Sequence, residues 1–237
     1  MSTEKKVLLV CSDYYGPFYE DGSKTGAYFT EVLHPFQVFT KAGYSVQIVS
    51  ENGNVGFDDH SISDSALSDS DKNAFKDKNN DFWKAIKNAK NASDINFSDY
   101  SIFFAAGGHG TLFDFPSATN LHKGAAKIYS MGGVIAAVCH GPVILPYIKD
   151  STGFSIVKGK TVTAFNEIAE QQMNLMPTFE KYHFKTLNKL FQEAGSNFVD
   201  PQEPFDDFVK TDGKLVTGAN PASAASTAKA ALNSLNS

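Results

Sequence analysis

One short stretch, residues 134–142, constrains the fold of this chain more than any other. It reads Val-Ile-Ala-Ala-Val-Cys-His-Gly-Pro, and its five leading apolar residues predict a strand buried on both faces, as in parallel sheets. Gly141 allows a tight turn after the strand, and Pro142 suits the first turn of a helix. The stretch therefore predicts a strand, a sharp turn and a helix, with Cys139 and His140 at the corner.

A cysteine at such a corner is typical of a nucleophile elbow, in which a strand holds a reactive side chain at its carboxyl end. A helix N-terminus behind the thiol would favour the nucleophilic thiolate. The alternative is a buried structural cysteine, since free cysteines are often buried. Catalysis is favoured because His140 adjoins Cys139 and because a second glycine corner, residues 107–110, lies upstream with the sequence Gly-Gly-His-Gly.

The pattern of apolar residues predicts that the chain alternates between strands and helices. Strands are expected over 6–12, 44–50, 100–105, 134–138 and 159–164, and helices over 27–42, 117–131, 143–148, 183–194 and 221–235. Pro35 predicts a kink or break in the first helix, Asp212-Gly213 a hairpin, 165–177 a polar loop, and Asn220 a cap of the last helix. The initial strand, helix and strand form a βαβ unit, which indicates a parallel sheet in an α/β fold.

Residues 51–97 do not fit a simple parallel core. They are polar and acidic, and they contain one amphipathic stretch with Phe82, Trp83 and Ile86. We interpret them as an insertion after the second strand, packed beside the sheet, and a lid or interface is as consistent with the sequence as a neutral insert. The whole chain, 1–237, is expected to form a single domain.

Charge and cysteine usage narrow the classes of function. The 237 residues carry a formal net charge of −5, which argues against nucleic acid as a partner. No apolar run approaches the ~20 residues of a membrane span, and the amino terminus does not resemble a signal peptide. With only Cys11 and Cys139, a disulfide framework is excluded and a reducing compartment is indicated. We expect the cytoplasm, and the sequence does not separate it from the nucleus.

A cysteine nucleophile needs a base, an acid that orients the base, and backbone N–H groups for a developing oxyanion. His140 is the neighbouring base. Glu167 and Glu170 are both candidates for the acid, and spacing does not choose between them. Gly107-Gly108 can bring backbone N–H groups close to a ligand, although a tight turn is the favoured explanation when the glycines are considered alone.

Other side chains also bear on the chemistry. Glu31 lies on an apolar helix face, where an acidic residue is usually solvated at the edge. If buried, it would stay protonated and could donate a hydrogen bond to the sulfur. No metal site is predicted, because Cys139 and His140 have no partner at ligand spacing. His109 is expected near the pocket because of its glycine neighbours, and Cys11 is expected in the core.

These residues resemble a known family. Ala137-Val-Cys-His-Gly-Pro142 and Ala106-Gly-Gly-His-Gly-Thr-Leu-Phe-Asp114 resemble the PfpI/ThiJ superfamily, whose fold is a class I glutamine-amidotransferase-like, flavodoxin-like doubly wound parallel sheet flanked by helices. Further stretches resemble its fungal heat-shock-chaperone branch, the glutathione-independent glyoxalases III; they are 18–26, 31–36, 49–53, 57–61, 204–207 and 211–221. The similarity covers nearly the whole chain.

The resemblance implies a set of roles and a reaction. Cys139 would be the nucleophile, His140 its base, Glu170 the orienting acid, Glu31 the protonated partner of the thiolate, and Gly108 with His140 the oxyanion donors. The implied reaction converts methylglyoxal and water to D-lactate without a cofactor. It proceeds through a hemithioacetal on the thiolate and an enediol.

Three functions compete at this stage. The leading one is glyoxalase III acting on small 2-oxoaldehydes such as methylglyoxal and glyoxal, with a protein deglycase activity as an addition. The second is a stress-response holdase for unfolded clients or a redox sensor, suggested by the 20 Phe and by an oxidisable Cys139. The third, a cysteine peptidase, is least favoured because a small pocket would not admit a folded chain. A homodimer is the expected assembly.

Overall fold

A computed structural model of the chain describes residues 5–236. The strands are β1 Lys6–Val10, β2 Gly16–Pro17, β3 Lys24–Thr25, β4 Ser45–Ser50, β5 Lys90–Asn91, β6 Ile102–Ala105, β7 Val134–Val138, β8 Thr161–Val162, β9 Asn197–Phe198, β10 Val209–Asp212 and β11 Leu215–Gly218. The helices are α1 Phe29–Lys41, α2 Asp69–Lys76, α3 Asp81–Lys87, α4 Thr111–Asp114, α5 Thr119–Ser130, α6 Glu167–Gln172, α7 Met176–Tyr182, α8 Leu187–Glu193 and α9 Ala224–Asn236. Short 3₁₀ segments cover His60–Ile62, Ala92–Asp94, Phe97–Asp99, Phe115–Ser117, Gly141–Tyr147 and Pro221–Ser223. The first four residues, on which the prediction about the amino terminus partly depends, lie outside the described residues.

A seven-stranded sheet in the order β10-β11-β7-β6-β1-β4-β5 forms the centre of the fold. All neighbouring pairs are parallel except β10 with β11, which form the predicted antiparallel hairpin. The mostly parallel sheet flanked by helices confirms the predicted α/β architecture. None of the helices within residues 5–236 has the length and apolar character of a bilayer span.

The direction of winding reverses at β1. From β1 the chain crosses through α1 to β4 on one side, and it later returns through α5 from β6 to β7 on the other side. Because parallel crossovers are right-handed, this reversal places α1 and α5 on opposite faces of the sheet. Ligands of such sheets bind at the carboxyl ends of the strands near the reversal, which is where Gly107 and Cys139 lie.

The segment 51–97 contains two α-helices, α2 and α3, where the sequence predicts one. Its strand β5 extends the sheet by pairing with β4. The rings of Phe82 and Trp83 lie within 5.6 and 6.3 Å of the Phe29 ring of α1, so aromatic packing joins the segment to the core.

Other predictions from the sequence are corrected. α1 runs through Pro35 without a break, because the ring is buried and only one helical hydrogen bond is lost. The polar loop predicted over 165–177 is wrong: Asn166 caps α6 by accepting from the Ala169 N–H, and Pro177 lies in the first turn of α7. The helix expected from His183 begins only at Leu187, because His183 ends α7 in a left-handed conformation.

Two further predictions, about the segment after the corner and about Asn220, are also corrected. The short helix expected over 143–148 is a 3₁₀ segment that begins directly after the corner, at Gly141. Asn220 does not cap the last helix; its side-chain amide donates to the carbonyl oxygens of Pro204 and Asp206 and so holds that loop in place.

Candidate active site

Two strand ends lie side by side at the centre of the site. Ala105 of β6 pairs with Ala137 of β7, so the chain segments that follow both strands leave the sheet together. Cys139 has a φ of +60°, a left-handed conformation that is uncommon for any residue except glycine. Such outliers cluster at functional sites, and this one is the strained elbow that the sequence predicted.

Cys139, His140 and Glu170 form a continuous row of contacts. The Cys139 sulfur lies 3.3 Å from Nδ1 of His140, and the Nε2 atom of the same ring lies 2.6 Å from Oε1 of Glu170. The side chains of His140 and Glu170 are 1% and 2% exposed. The irregular turn after β7 therefore brings adjacent residues face to face, which a regular helix would not do.

The protonation states follow from these contacts. Burial opposes ionisation of Glu170, but the charges and hydrogen bonds of His109 and His140 outweigh it and lower the pKa to about 2. Burial, followed by the charge of His109, lowers the pKa of His140 to about 4. At neutral pH the carboxylate accepts the Nε2 proton of a neutral imidazole, which leaves Nδ1 free to accept the thiol proton.

Glu31 lies against the thiol and is fully buried. Its Oε2 accepts the Gly107 N–H at 2.8 Å, whereas its buried Oε1 has no hydrogen-bond partner. Burial raises the pKa of Glu31 to about 8, so the carboxyl is protonated at neutral pH. A protonated Glu31 can donate a hydrogen bond to the sulfur.

The expectation that a helix N-terminus favours a resting thiolate is corrected. The segment after Cys139 is a 3₁₀ turn of seven residues, not an α-helix. Burial raises the pKa of the Cys139 thiol well above its ordinary value, and the charge of Glu31 raises it further once that carboxyl ionises, against a lowering contribution from the Gly108 N–H. The resting sulfur is therefore protonated, and the nucleophile forms by proton transfer to His140.

The two glycines of the neighbouring corner are required by their surroundings. A Cβ on Gly107 would lie 2.6 Å from both Oε2 of Glu31 and the carbonyl oxygen of Val138. Gly108 has a φ of +103°, and a Cβ there would collide with the carbonyl oxygen of Gly26. Only glycine lets this corner approach the elbow closely enough for the Gly108 N–H to reach the sulfur.

The structure adds contacts that sequence reasoning missed. His109 was expected only to line the pocket, but its Nε2 also lies 3.2 Å from Oε2 of Glu170. The hydroxyl of Tyr19 lies 3.4 Å from Nδ1 of the same ring. The glycine corner before His109 indicated that it is near the site, but no signal in the sequence indicated these partners.

The alternative residues lie elsewhere. Glu167 accepts a hydrogen bond from the Thr186 hydroxyl and does not contact His140. Cys11 is fully buried at the end of β1, where burial raises the pKa of its thiol. The structure thus brings Glu170, and not Glu167, to the base.

A cavity of about 270 Å³ opens above the sulfur. Its walls are mostly apolar and aromatic, and the residues that line it are Tyr19, Tyr28, His60, Gly108, His109, Cys139, His140, Phe165, Met173, Phe205 and Pro221. Met173 and Phe205 are 42% and 49% exposed, so they form an apolar rim at the mouth. The sulfur is accessible to a small molecule through this rim.

One group of side chains in residues 5–236 has the spacing of metal ligands. Atoms of His109, His140 and Glu170 lie within 4.8 Å of one another. The hydrogen bonds described above already use these atoms, and we assign no metal to them.

Comparison with known proteins gives consistent results. A family model described as DJ-1/PfpI matches residues 24–234. A probable glutathione-independent glyoxalase of Schizosaccharomyces pombe is 99% identical over 180 residues, which are 76% of this chain and 81% of that protein. A glutathione-independent glyoxalase of the same yeast is 52% identical and covers 98% of this chain and 96% of its own length. The crystal structure of glyoxalase III from Candida albicans superposes with a TM-score of 0.95 at 44% identity, covering 97% of each chain.

Proposed function

The chain belongs to the DJ-1/PfpI family, and on that premise we propose that it is a glutathione-independent glyoxalase (glyoxalase III) that converts methylglyoxal and water to D-lactate without a cofactor. The observation that carries the proposal is the row of Cys139, His140 and Glu170 at the base of a cavity open to small molecules. The flavodoxin-like fold and the names of the relatives support the same activity.

The first step is addition of sulfur to the aldehyde. His140 takes the thiol proton at Nδ1, and the thiolate attacks the aldehyde carbon of the substrate. The aldehyde oxygen gains the negative charge, and the N–H groups of Gly108 and His140 are the proposed donors to it. His140 then returns its proton to that oxygen, which gives a neutral hemithioacetal on Cys139.

The second step moves hydrogen between two carbons and needs no external oxidant. His140 removes the proton from the sulfur-bearing carbon and delivers it to the adjacent carbon, while the hydroxyl proton of the first carbon passes to the carbonyl oxygen of the second, so that the reaction proceeds through an enediol. The first carbon is oxidised to a thioester while the second is reduced to an alcohol. Water then attacks the thioester carbonyl, which releases lactate and restores the thiol.

Glu170 and Glu31 support these steps without changing their own bonds. Glu170 fixes the tautomer and orientation of His140 and stabilises the imidazolium that forms transiently. Protonated Glu31 donates to the sulfur and so stabilises the thiolate before attack.

Several properties complete the proposal. Small 2-oxoaldehydes such as methylglyoxal and glyoxal are the substrates, with neither nucleic acid nor membrane as a partner. We further propose that residues 1–237 form a single domain, that the chain assembles as a homodimer, and that it acts in the cytoplasm; nothing in the sequence excludes the nucleus.

A holdase or redox-sensing protein is the second candidate, with deglycase activity as an addition to the first. The observation that favours a holdase is the apolar rim, where Met173 and Phe205 are each more than two-fifths exposed. Large exposed apolar residues in a cluster are typical of surfaces that bind other chains.

The experiment that separates the candidates is formation of lactate from methylglyoxal by the purified chain in the absence of glutathione. The proposal predicts stoichiometric D-lactate. Loss of methylglyoxal without lactate, or no turnover while client aggregation is still suppressed, would favour the second candidate.

A further inference from the structure

Glu170 binds two histidines, one through each carboxylate oxygen. Oε1 contacts His140 at 2.6 Å and Oε2 contacts His109 at 3.2 Å. All three side chains are buried, and the two rings lie 4.0 Å apart between centroids. The mechanism given above uses only one of these rings, so His109 is a buried titratable group without an assigned role.

The other nitrogen of His109 also faces an oxygen. The Tyr19 hydroxyl lies 3.4 Å from Nδ1, and it donates its own proton to Oδ2 of Asp58 at 2.8 Å. Asp58 is fully buried, and its Oδ2 accepts a second hydrogen bond, from the Thr25 hydroxyl. Because the proton of Tyr19 is directed at Asp58, the tyrosine oxygen meets His109 as an acceptor.

Both ring nitrogens of His109 therefore face acceptors, whereas a neutral imidazole can donate from only one nitrogen. We propose that His109 is a positioning residue that stays an imidazolium in the resting protein and thereby holds His140 as the neutral base. The assignment of His140 as the base rests on the function proposed above, but the charge on His109 does not.

The arrangement explains how a carboxylate can orient His140 without protonating it. The negative charge of Glu170 alone would favour the imidazolium form of His140. A positive His109 on the opposite oxygen compensates that charge, and together with burial it lowers the pKa of His140 to about 4. The titratable groups that face His109 are Glu170, His140 and Tyr19, with Asp58 behind the tyrosine and Cys139 on the wall of the same cavity.

The direct test is nuclear magnetic resonance of the resting, ¹⁵N-histidine-labelled protein at neutral pH, with no substrate. The ring signals of His109 are assigned by their loss in His109→Gln. Two protonated nitrogens on His109, and one on His140, are the expected result. A single protonated nitrogen on His109 would overturn the proposal, and this readout does not depend on whether the protein turns over methylglyoxal.

The second test measures the acid limb of the pH profile of kcat/KM. Removing the charge in His109→Gln should move that limb to higher pH by about one unit or more, since a nearby charge shifts a pKa by roughly one to three units. Tyr19→Phe removes one acceptor and should shift the limb in the same direction by less. If His109→Gln does not fold, the shift of the acid limb in Tyr19→Phe tests the proposal by itself.

His34→Gln is the matched control for these variants. His34 pairs with Asp71 at 2.9 Å, away from the cavity, so its replacement breaks a similar histidine–carboxylate contact and should leave the limb in place. An unchanged limb in Tyr19→Phe and in folded His109→Gln would show that His109 does not set the state of His140. An equal movement of the limb in His34→Gln would overturn the proposal in the same way.

Discussion

The Nε2 atom of His140 lies 2.6 Å from Oε1 of Glu170, although the two residues are 30 positions apart in the chain. The carboxylate is an acceptor only, so this contact places the ring proton on Nε2 and leaves Nδ1 to face the Cys139 sulfur at 3.3 Å. A single contact thus sets both the orientation and the tautomer of the base.

Glu170→Gln should lower kcat by about 10⁴-fold, because an amide can donate to Nε2 and stabilise the wrong tautomer. The measurement is the initial rate of lactate formation at saturating methylglyoxal. Glu167→Gln is the matched control: it lies on the same helix but contacts Thr186 and not the base, and it should keep the wild-type rate. Equal losses in the two variants would contradict a specific role for Glu170.

Activity should fall as pH rises through about 8, where Glu31 loses its proton. The ionised carboxylate can no longer donate to the sulfur, and its charge opposes formation of a thiolate. Glu31→Gln keeps a donor at every pH, so its profile should stay flat across this region. The comparison requires kcat/KM from about pH 6 to about pH 10. A basic limb at the same pH in both proteins would assign it to another group.

The same carboxyl predicts a pH dependence of stability. Burial raises its pKa from 4.5 to about 8, so between these values the folded protein holds a proton that the unfolded chain has lost. The free energy of unfolding should therefore fall with rising pH across this interval. Thermal unfolding of wild type and Glu31→Gln measures this contribution, and parallel pH dependences would refute it.

Gly108→Ala should destabilise the protein by about 3 kcal/mol, because the methyl group meets the Gly26 carbonyl in addition to adopting an unfavourable φ. Gly132→Ala separates the cost of the steric collision from the cost of the unfavourable φ. Gly132 has a φ of +83° with open space around it, so its substitution should cost only about 1 kcal/mol from backbone strain. The measurement is chemical denaturation of both variants, and a cost at Gly108 no larger than at Gly132 would argue against the close approach of Gly108 to the Gly26 carbonyl.

Phe205→Ala should raise KM for a bulky 2-oxoaldehyde such as phenylglyoxal by about fivefold, since partial loss of an apolar contact costs about 1 kcal/mol. The effect on methylglyoxal should be smaller, because so small a molecule occupies only the base of a cavity of about 270 Å³. Phe154→Ala, which removes a similarly exposed ring outside this cavity, is the control. Equal changes for both substrates would show that the rim does not contact the substituent.

The sequence predicted the elements of the site that depend on local chemistry. The apolar run of β7, followed by Gly141 and Pro142, specifies a buried strand and a turn whatever the rest of the chain does. Gly107-Gly108 similarly indicated a close backbone approach, and the structure shows what the glycines approach.

The parts that sequence reasoning missed depend on contacts between distant residues. His109 and Glu170 are 61 positions apart, and no periodicity encodes such a pair. The polar composition of 165–177 predicts a loop where α6 lies, although Asn166 before two acidic residues is a local signal for a helix cap. Without that helix, the residues alone could not choose between Glu167 and Glu170. The resting state of Cys139 was also misjudged, because desolvation depends on burial that the sequence does not display.

The central claim is that the sulfur of Cys139 performs the reaction. The most direct test measures lactate formation from methylglyoxal, without glutathione, by Cys139→Ala and Cys11→Ala. Cys11 is the other cysteine of the chain, also buried at a strand end but outside the cavity. The account predicts that Cys139→Ala abolishes turnover while Cys11→Ala retains it; lactate formation that survives in Cys139→Ala would contradict the account.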